Sequence, residues 1–157
     1  MFFTPRATAP RRFRNESVLH DWGKLRKIRI PGGKMTEIKI ILPIPDACLS
    51  PNWRGHWAVR AKATKQLRKT AAILALSEIA LIAGPPCWKK ATAQVTYHFR
   101  DKRRRDKDNF QARLKAAFDG IVDAGILADD SGLTHLPMVF KLTALTPWVE
   151  IVIKETE

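Results

Sequence analysis

At 157 residues, 45% hydrophobic and 27% charged, the chain is long enough for one domain with a proper core, too short for two, and not disordered in composition. No apolar run reaches the ~18 residues of a transmembrane helix, the longest candidate at 73–83 being broken by Ser77 and Glu78, and no signal-peptide pattern opens the chain; this reads as a cytoplasmic protein with no membrane partner. Against 15 Asp and Glu stand 28 Lys and Arg, a formal charge of +13, which makes a polyanion the expected partner.

Residues 1–34 hold nine basic side chains (Arg6, Arg11, Arg12, Arg14, Lys24, Arg26, Lys27, Arg29, Lys34) against Glu16 and Asp21. Pro5, Pro10, Pro31 and Gly32-Gly33 punctuate them, and no period of 2 or 3.6 is sustained. They read as a flexible basic arm, as a leader upstream of a start at Met35, or as a transit peptide, and none of these bears on the chemistry downstream. The remaining residues, 35–157, are the expected folded domain and stay basic on their own.

Within it, 37–42 alternates and then turns apolar, a strand closed by Pro43 and Pro45. A loop of turn formers leads to a long helix over about 56–83, stopped by Gly84-Pro85-Pro86. Residues 92–99 alternate and predict a second strand. Phe110, Leu114, Ala117, Phe118, Ile121 and Val122 make the apolar stripe of a second helix over about 109–124, ended by Gly125. Strands within 138–145 and at 149–153 complete a β-α-β-α-β-β order, an α/β (α+β) two-layer fold with a small mixed sheet packed by two helices. Cys48 and Cys87 form neither a disulfide framework nor a redox or zinc motif.

The chemistry concentrates in Asp101-Lys102-Arg103-Arg104-Arg105-Asp106-Lys107-Asp108-Asn109. An Asp-x-Asp pair at a strand end sends both carboxylates to one side, where they repel unless a cation lies between them. A hard ion such as Mg²⁺ suits those oxygens, and the adjacent basic residues suit a phosphate backbone. The same residues also allow a plainer account. Asp108 with Gln111 resembles a capping box, Asp129-Asp130-Ser131-Gly132 resembles a turn, and the Lys/Arg run resembles a solvated face. An EF-hand register from Asp106 fails, because the sixth position is Gln111 and the twelfth is Ala117.

Three motifs in order carry a resemblance: Arg103-Arg104-Arg105-Asp106-Lys107-Asp108-Asn109, then Lys115-Ala116-Ala117-Phe118-Asp119-Gly120, then Ala124-Gly125-Ile126-Leu127-Ala128-Asp129-Asp130. Together they resemble the signature of RusA-type Holliday-junction resolvases. The loop Leu49-Ser50-Pro51-Asn52, followed by Arg54, His56 and Trp57, is similar to phage-borne members. The resemblance runs from Met35 to the C-terminus. It implies a bacterial or phage-encoded homodimer that resolves four-way DNA junctions by paired symmetric nicks, with Mg²⁺ as cofactor, Mn²⁺ as substitute and no small-molecule cofactor.

Carried over, Asp106, Asp108 and Asp130 are the catalytic and metal-binding aspartates, with Asp129 an adjacent acid, and Lys115 is the catalytic lysine. The interval from Asn109 to Lys115 is about one helical turn longer than in the best-known bacterial pattern, which leaves Arg113 as an alternative. Arg103, Arg104, Arg105, Lys107 and Arg113 would contact DNA, as would Asn52; Trp53, Arg54, His56, Trp57 and Arg60, where the first helix begins, would stack on unpaired bases or grip phosphates, although core packing explains the tryptophans as well. A straight helix of about 16 residues rises roughly 24 Å, so Asp130 joins Asp108 only if 125–130 folds back, or else it serves a partner's site. Two rivals remain: a non-catalytic nucleic-acid-binding module, and a nuclease for flap or other branched DNA.

Overall fold

The central strand is β2, Ala91–Phe99, in which Ala91, Ala93, Val95, Tyr97 and Phe99 are all buried on one face. In the computed structural model, which describes residues 36–81, 85–143 and 146–156, it pairs antiparallel with β5, Trp148–Glu155, and β5 pairs antiparallel with β1, Glu37–Pro43. On its other side β2 takes two short parallel strands end to end, β3 (Leu133–His135) on its first half and β4 (Val139–Leu142) on its second.

The register puts like with like. Ile38 lies opposite Ile153 and Ile153 opposite Ala93; Ile40, Ile151 and Val95 form the next row; Leu42, Val149, Tyr97 and Phe140 form a third. Side chains alternate with period 2, so these rows make one apolar face. The rows between them, such as Lys39, Val152 and Gln94, belong to the other face, which is only partly covered.

Helix α1, Trp57–Ile79, packs through Leu67, Ala71, Ala75 and Ile79, a four-residue spacing that keeps one narrow stripe buried. It ends before residue 83 because the last turn tightens, Leu81 N–H reaching back only to the Glu78 carbonyl. The expected stop at Gly84 lies outside the described residues, as does the boundary drawn between residues 34 and 35. The chain divides into units Met1–Gly33 and Lys34–Glu157.

The expected second helix is two helices, α2 (Lys107–Arg113) and α3 (Lys115–Asp123). At the junction Leu114 is fully buried and its N–H bonds to Gln111, three residues back, instead of to Phe110. That step breaks the run of four-residue bonds at a buried residue. α3 then packs on α1 through buried Ala116, Ala117, Gly120 and Ile121, with Arg68 clamping Asp123 through bonds of 2.5 and 2.7 Å. Gly125 ends α3 at φ +81°, a left-handed cap that glycine takes without strain. The fold is thus mixed α and β with a small mixed sheet, as the sequence predicts, with the second helix divided and β3 added.

Candidate active site

Asp106 is not at a strand end. β2 stops at Phe99, and Asp106 stands seven residues on as the N-cap of α2, its Oδ1 accepting from Asp108 N–H at 3.0 Å. The expectation of two carboxylates aligned by strand alternation is therefore corrected: Asp106 is extended and Asp108 is in the first helical turn. The capping place foreseen for Asp108 belongs to Asp106. Asp108 is exposed, and its side chain makes no hydrogen bond or ion pair among the described residues.

What fixes this helix start is an aromatic cluster. Tyr97, Phe99 and Phe140 each meet the Phe110 ring edge-on at 5.0 to 5.7 Å. The buried Tyr97 hydroxyl donates to the Phe110 carbonyl at 3.1 Å; burial pushes its pKa well above the ordinary range, so it stays a neutral donor. One turn of helix thus docks on the far end of β2 and carries the two acids with it.

A polar bridge ties the same turn to the loop before α1. Asn109 Nδ2 donates to Asp106 Oδ2 at 2.8 Å, while its Oδ1 accepts from Asn52 Nδ2 at 3.2 Å and from the buried Ser50 Oγ at 3.5 Å. Asn52, Arg54, Trp57 and Arg60 follow on from that loop, so the bridge joins the aromatic-basic segment to the acidic pair. The sequence motif puts Asn109 beside the acids, but a partner 57 residues away leaves no local signal.

The basic run divides by environment. Arg105 is largely buried: it pairs with Asp101, donates to the Asp101 and Arg103 carbonyls, and lies over the Phe99 ring at 3.7 Å. Its guanidinium shapes the loop and holds the Asp101 carboxyl below its usual range, helped by the Arg103 backbone N–H. Arg103 keeps only a 3.4 Å pair with Asp101 and is 84% exposed, and Arg104 and Lys107 are exposed as well. Arg113 is half-buried over Phe110 at 4.6 Å with its Nε unpartnered, whereas Lys115 is exposed at the start of α3.

The third acid stands elsewhere. After α3 the chain does not fold back; Cys87 N–H and Trp88 N–H donate to Gly125 and Ile126, and Ala128 N–H returns to Trp88. The 3₁₀ turn Asp130–Gly132 follows directly, and Leu133 pairs with Ala91, the first residue of β2. Asp106 and Asp108 belong to the helix start docked at the other end of that nine-residue strand, which itself spans roughly 26 Å at ~3.3 Å per residue. Among the described residues no group of three or more His, Cys, Asp or Glu side chains is placed to hold a metal ion.

In the turn itself Asp129 is the cap, accepting from Asp130 N–H at 2.8 Å and Ser131 Oγ at 2.6 Å. Those bonds lower its pKa, and they leave the exposed Asp130 carboxylate with no hydrogen bond among the described residues. Among those residues, no helix is long and apolar enough to cross a membrane.

No family model matches the chain. It is similar to an uncharacterized protein of Xylella fastidiosa (strain Temecula1 / ATCC 700964), 33% identical over 96 residues that cover 61% of this chain. The match spans 63% of that relative's length.

Proposed function

We propose that the protein is a Mg²⁺-dependent endonuclease for branched DNA, resolving four-way junctions as a cytoplasmic homodimer by paired symmetric nicks. The observation that carries the reading is the exposed Asp106–Asp108 pair at the edge of a basic loop, with Asp106 held by Asn109. Asp108, with no hydrogen bond among the described residues, and Asp106, whose oxygens keep lone pairs beyond the bonds they accept, would suit a hard divalent cation. When bound, Mg²⁺ or its substitute Mn²⁺ supplies charge stabilisation at the phosphate and an acidified water.

The chain's own residues do the rest. Asp106 and Asp108 would hold the cation, and the Asn109 bridge keeps Asp106 in one rotamer. Arg103 and Arg104, extended into solvent, grip the backbone, with Arg105 bracing their loop from within. Lys115, exposed where Arg113 is half-buried, is the better cation to offset charge developing on the phosphate. Asp130, at the other end of β2, acts in the partner subunit's site, so dimerisation completes the acid set and matches the two-fold symmetry of a junction.

A second reading, a nucleic-acid-binding module without catalysis, is favoured by one fact: Asp106 and Asp129 both have capping work that explains their presence. Incubation of the full chain with a synthetic four-way junction, a flap and a linear duplex, with and without Mg²⁺, separates the readings. The nuclease reading expects symmetric paired nicks in the junction that require Mg²⁺. Binding without any nick supports the module, and preferential flap cleavage moves the substrate class.

A further inference from the structure

The first half of α1 carries a face that the proposed chemistry does not use. Trp57 is 75% exposed, an unusual cost for so large an apolar ring at the start of a helix. Arg60, Ala61, Thr64, Lys65 and Arg68 follow it at helical spacing, and together these residues line an open groove of about 520 Å³. Ala61 and Thr64 are small, and the Thr64 hydroxyl is already satisfied by the Arg60 carbonyl at 2.9 Å.

The charge of this face is one-sided. From Trp57 to Ser77 the helix has Arg60, Lys62, Lys65, Arg68 and Lys69 and no acid; Glu78 is its first. Arg68 is committed to Asp123 of α3, but Arg60 and Lys65 form no ion pair among the described residues. His56 stacks beside the indole at 5.7 Å and caps the helix by accepting from Ala58 N–H, so the ring sits on an anchored turn. Through Asn52 and Asn109 that turn is tied to Asp106.

We infer that this groove binds an unpaired stretch of DNA strand, with Trp57 stacking on one base and Arg60 and Lys65 holding the adjoining phosphates, and so feeds an opened branch point toward the acidic pair. An aromatic plate beside cations is what a single strand offers partners for, bases having π-faces and phosphates having charge. A fully paired duplex buries its bases and would engage the cations alone. The inference deepens the nuclease reading and rests on it only for the strand's destination.

Binding of the full chain in EDTA, where no cutting occurs, tests it apart from that reading. The probes are a fluorescent oligodeoxythymidylate and an abasic strand of equal length and charge. The wild type should prefer the strand with bases. Trp57→Ala should lose roughly 5- to 100-fold on it, the range of one lost stack, and nothing on the abasic strand, while Trp57→Phe keeps most of the preference. Arg60→Gln with Lys65→Gln should weaken both strands and flatten the salt dependence. Equal affinity of the wild type for both strands, or a Trp57→Ala loss that is absent or the same on both, overturns the inference. A chain that stacks through Trp57 yet nicks no junction would keep the groove and refute the nuclease.

Discussion

Asn109 donates a 2.8 Å hydrogen bond to Asp106 Oδ2 and, from the other end of its amide, accepts one from Asn52 at 3.2 Å. The amide therefore orients a carboxylate that would hold a cation, in the way outer-shell partners orient metal ligands. Asn109→Ala should lower junction nicking roughly 10- to 100-fold and cost about 1 kcal/mol of stability for the lost bonds. Asn52→Ala should show the same direction more weakly, since Ser50 still reaches Asn109. Single-turnover nicking and urea melts on the same preparations read both effects, and full nicking by Asn109→Ala would remove the bridge from the account.

Asp106 serves two purposes that separate by choice of substitution. As an N-cap it is replaced well by Asn and poorly by Ala, the latter costing about 1 kcal/mol. As a cation ligand it is replaced by neither. Asp106→Asn keeps the cap to Asp108 N–H but, with a single acceptor oxygen, loses the Asn109 bond; it should melt about 1 kcal/mol below wild type and nick nothing, whereas Asp106→Ala should lose the cap as well. Asp108→Ala, with no intrachain bond to lose, should lose activity with the fold unchanged.

Much of this was legible beforehand. Strands 1, 2, 4 and 5 follow from alternation and apolar runs, and the acid-basic loop from residue type alone. The division at Leu114 was not, because a buried leucine inside an apolar stripe fits an unbroken helix as well as a divided one. β3 escaped because three residues, Leu133–His135, are too few to show a period. The separation of Asp130 from Asp106 and Asp108 was half legible: helix length set them apart unless 125–130 folded back, and the path through Trp88 and Ala91 takes Asp130 to the other end of β2.

Gly120 reports on how closely the two helices approach. A Cβ there would stand 2.2 Å from the Arg68 carbonyl oxygen, a backbone atom that cannot turn aside. Gly120→Ala should therefore push α3 from α1 and destabilise by about 1–3 kcal/mol, against the ~0.5–1 kcal/mol by which alanine normally favours a helix over glycine. A urea titration checks it; a variant as stable as wild type would mean that the helices have slack.

Acid should loosen the basic loop. Asp101, held by Arg105 and the Arg103 N–H, has its folded pKa below the ordinary 3.8. A depressed carboxyl stabilises the folded state above its unfolded pKa, and that contribution is lost as pH falls through the folded value. Asp123, held by Arg68, behaves alike. Both sit at the surface, so the effect is modest and screened by salt. Melting midpoints from about pH 6 to about pH 3 should show Asp101→Asn below wild type at the upper end and converging with it at the lower. A constant offset would place the stabilisation elsewhere.

If Asp130 completes a partner's site, mixed dimers must complement. Asp130→Asn alone and Asp106→Asn alone should each be inactive, while mixing and re-equilibrating the two subunits should restore one intact site per heterodimer. Such a dimer nicks one strand and does not resolve the junction. Failure of the mixture to nick would place Asp130 outside the partner's site, and full nicking by Asp130→Asn alone would place it outside catalysis.

The central claim, that the Asp106–Asp108 pair cuts branched DNA, is tested most directly by one paired measurement. Wild type and Asp106→Asn are assayed for binding to a synthetic four-way junction without divalent ion and for strand scission after Mg²⁺ is added. The account predicts equal binding, symmetric nicks by the wild type and none by the variant. Scission by Asp106→Asn at the wild-type rate, or binding by the wild type with no Mg²⁺-dependent scission, would contradict it.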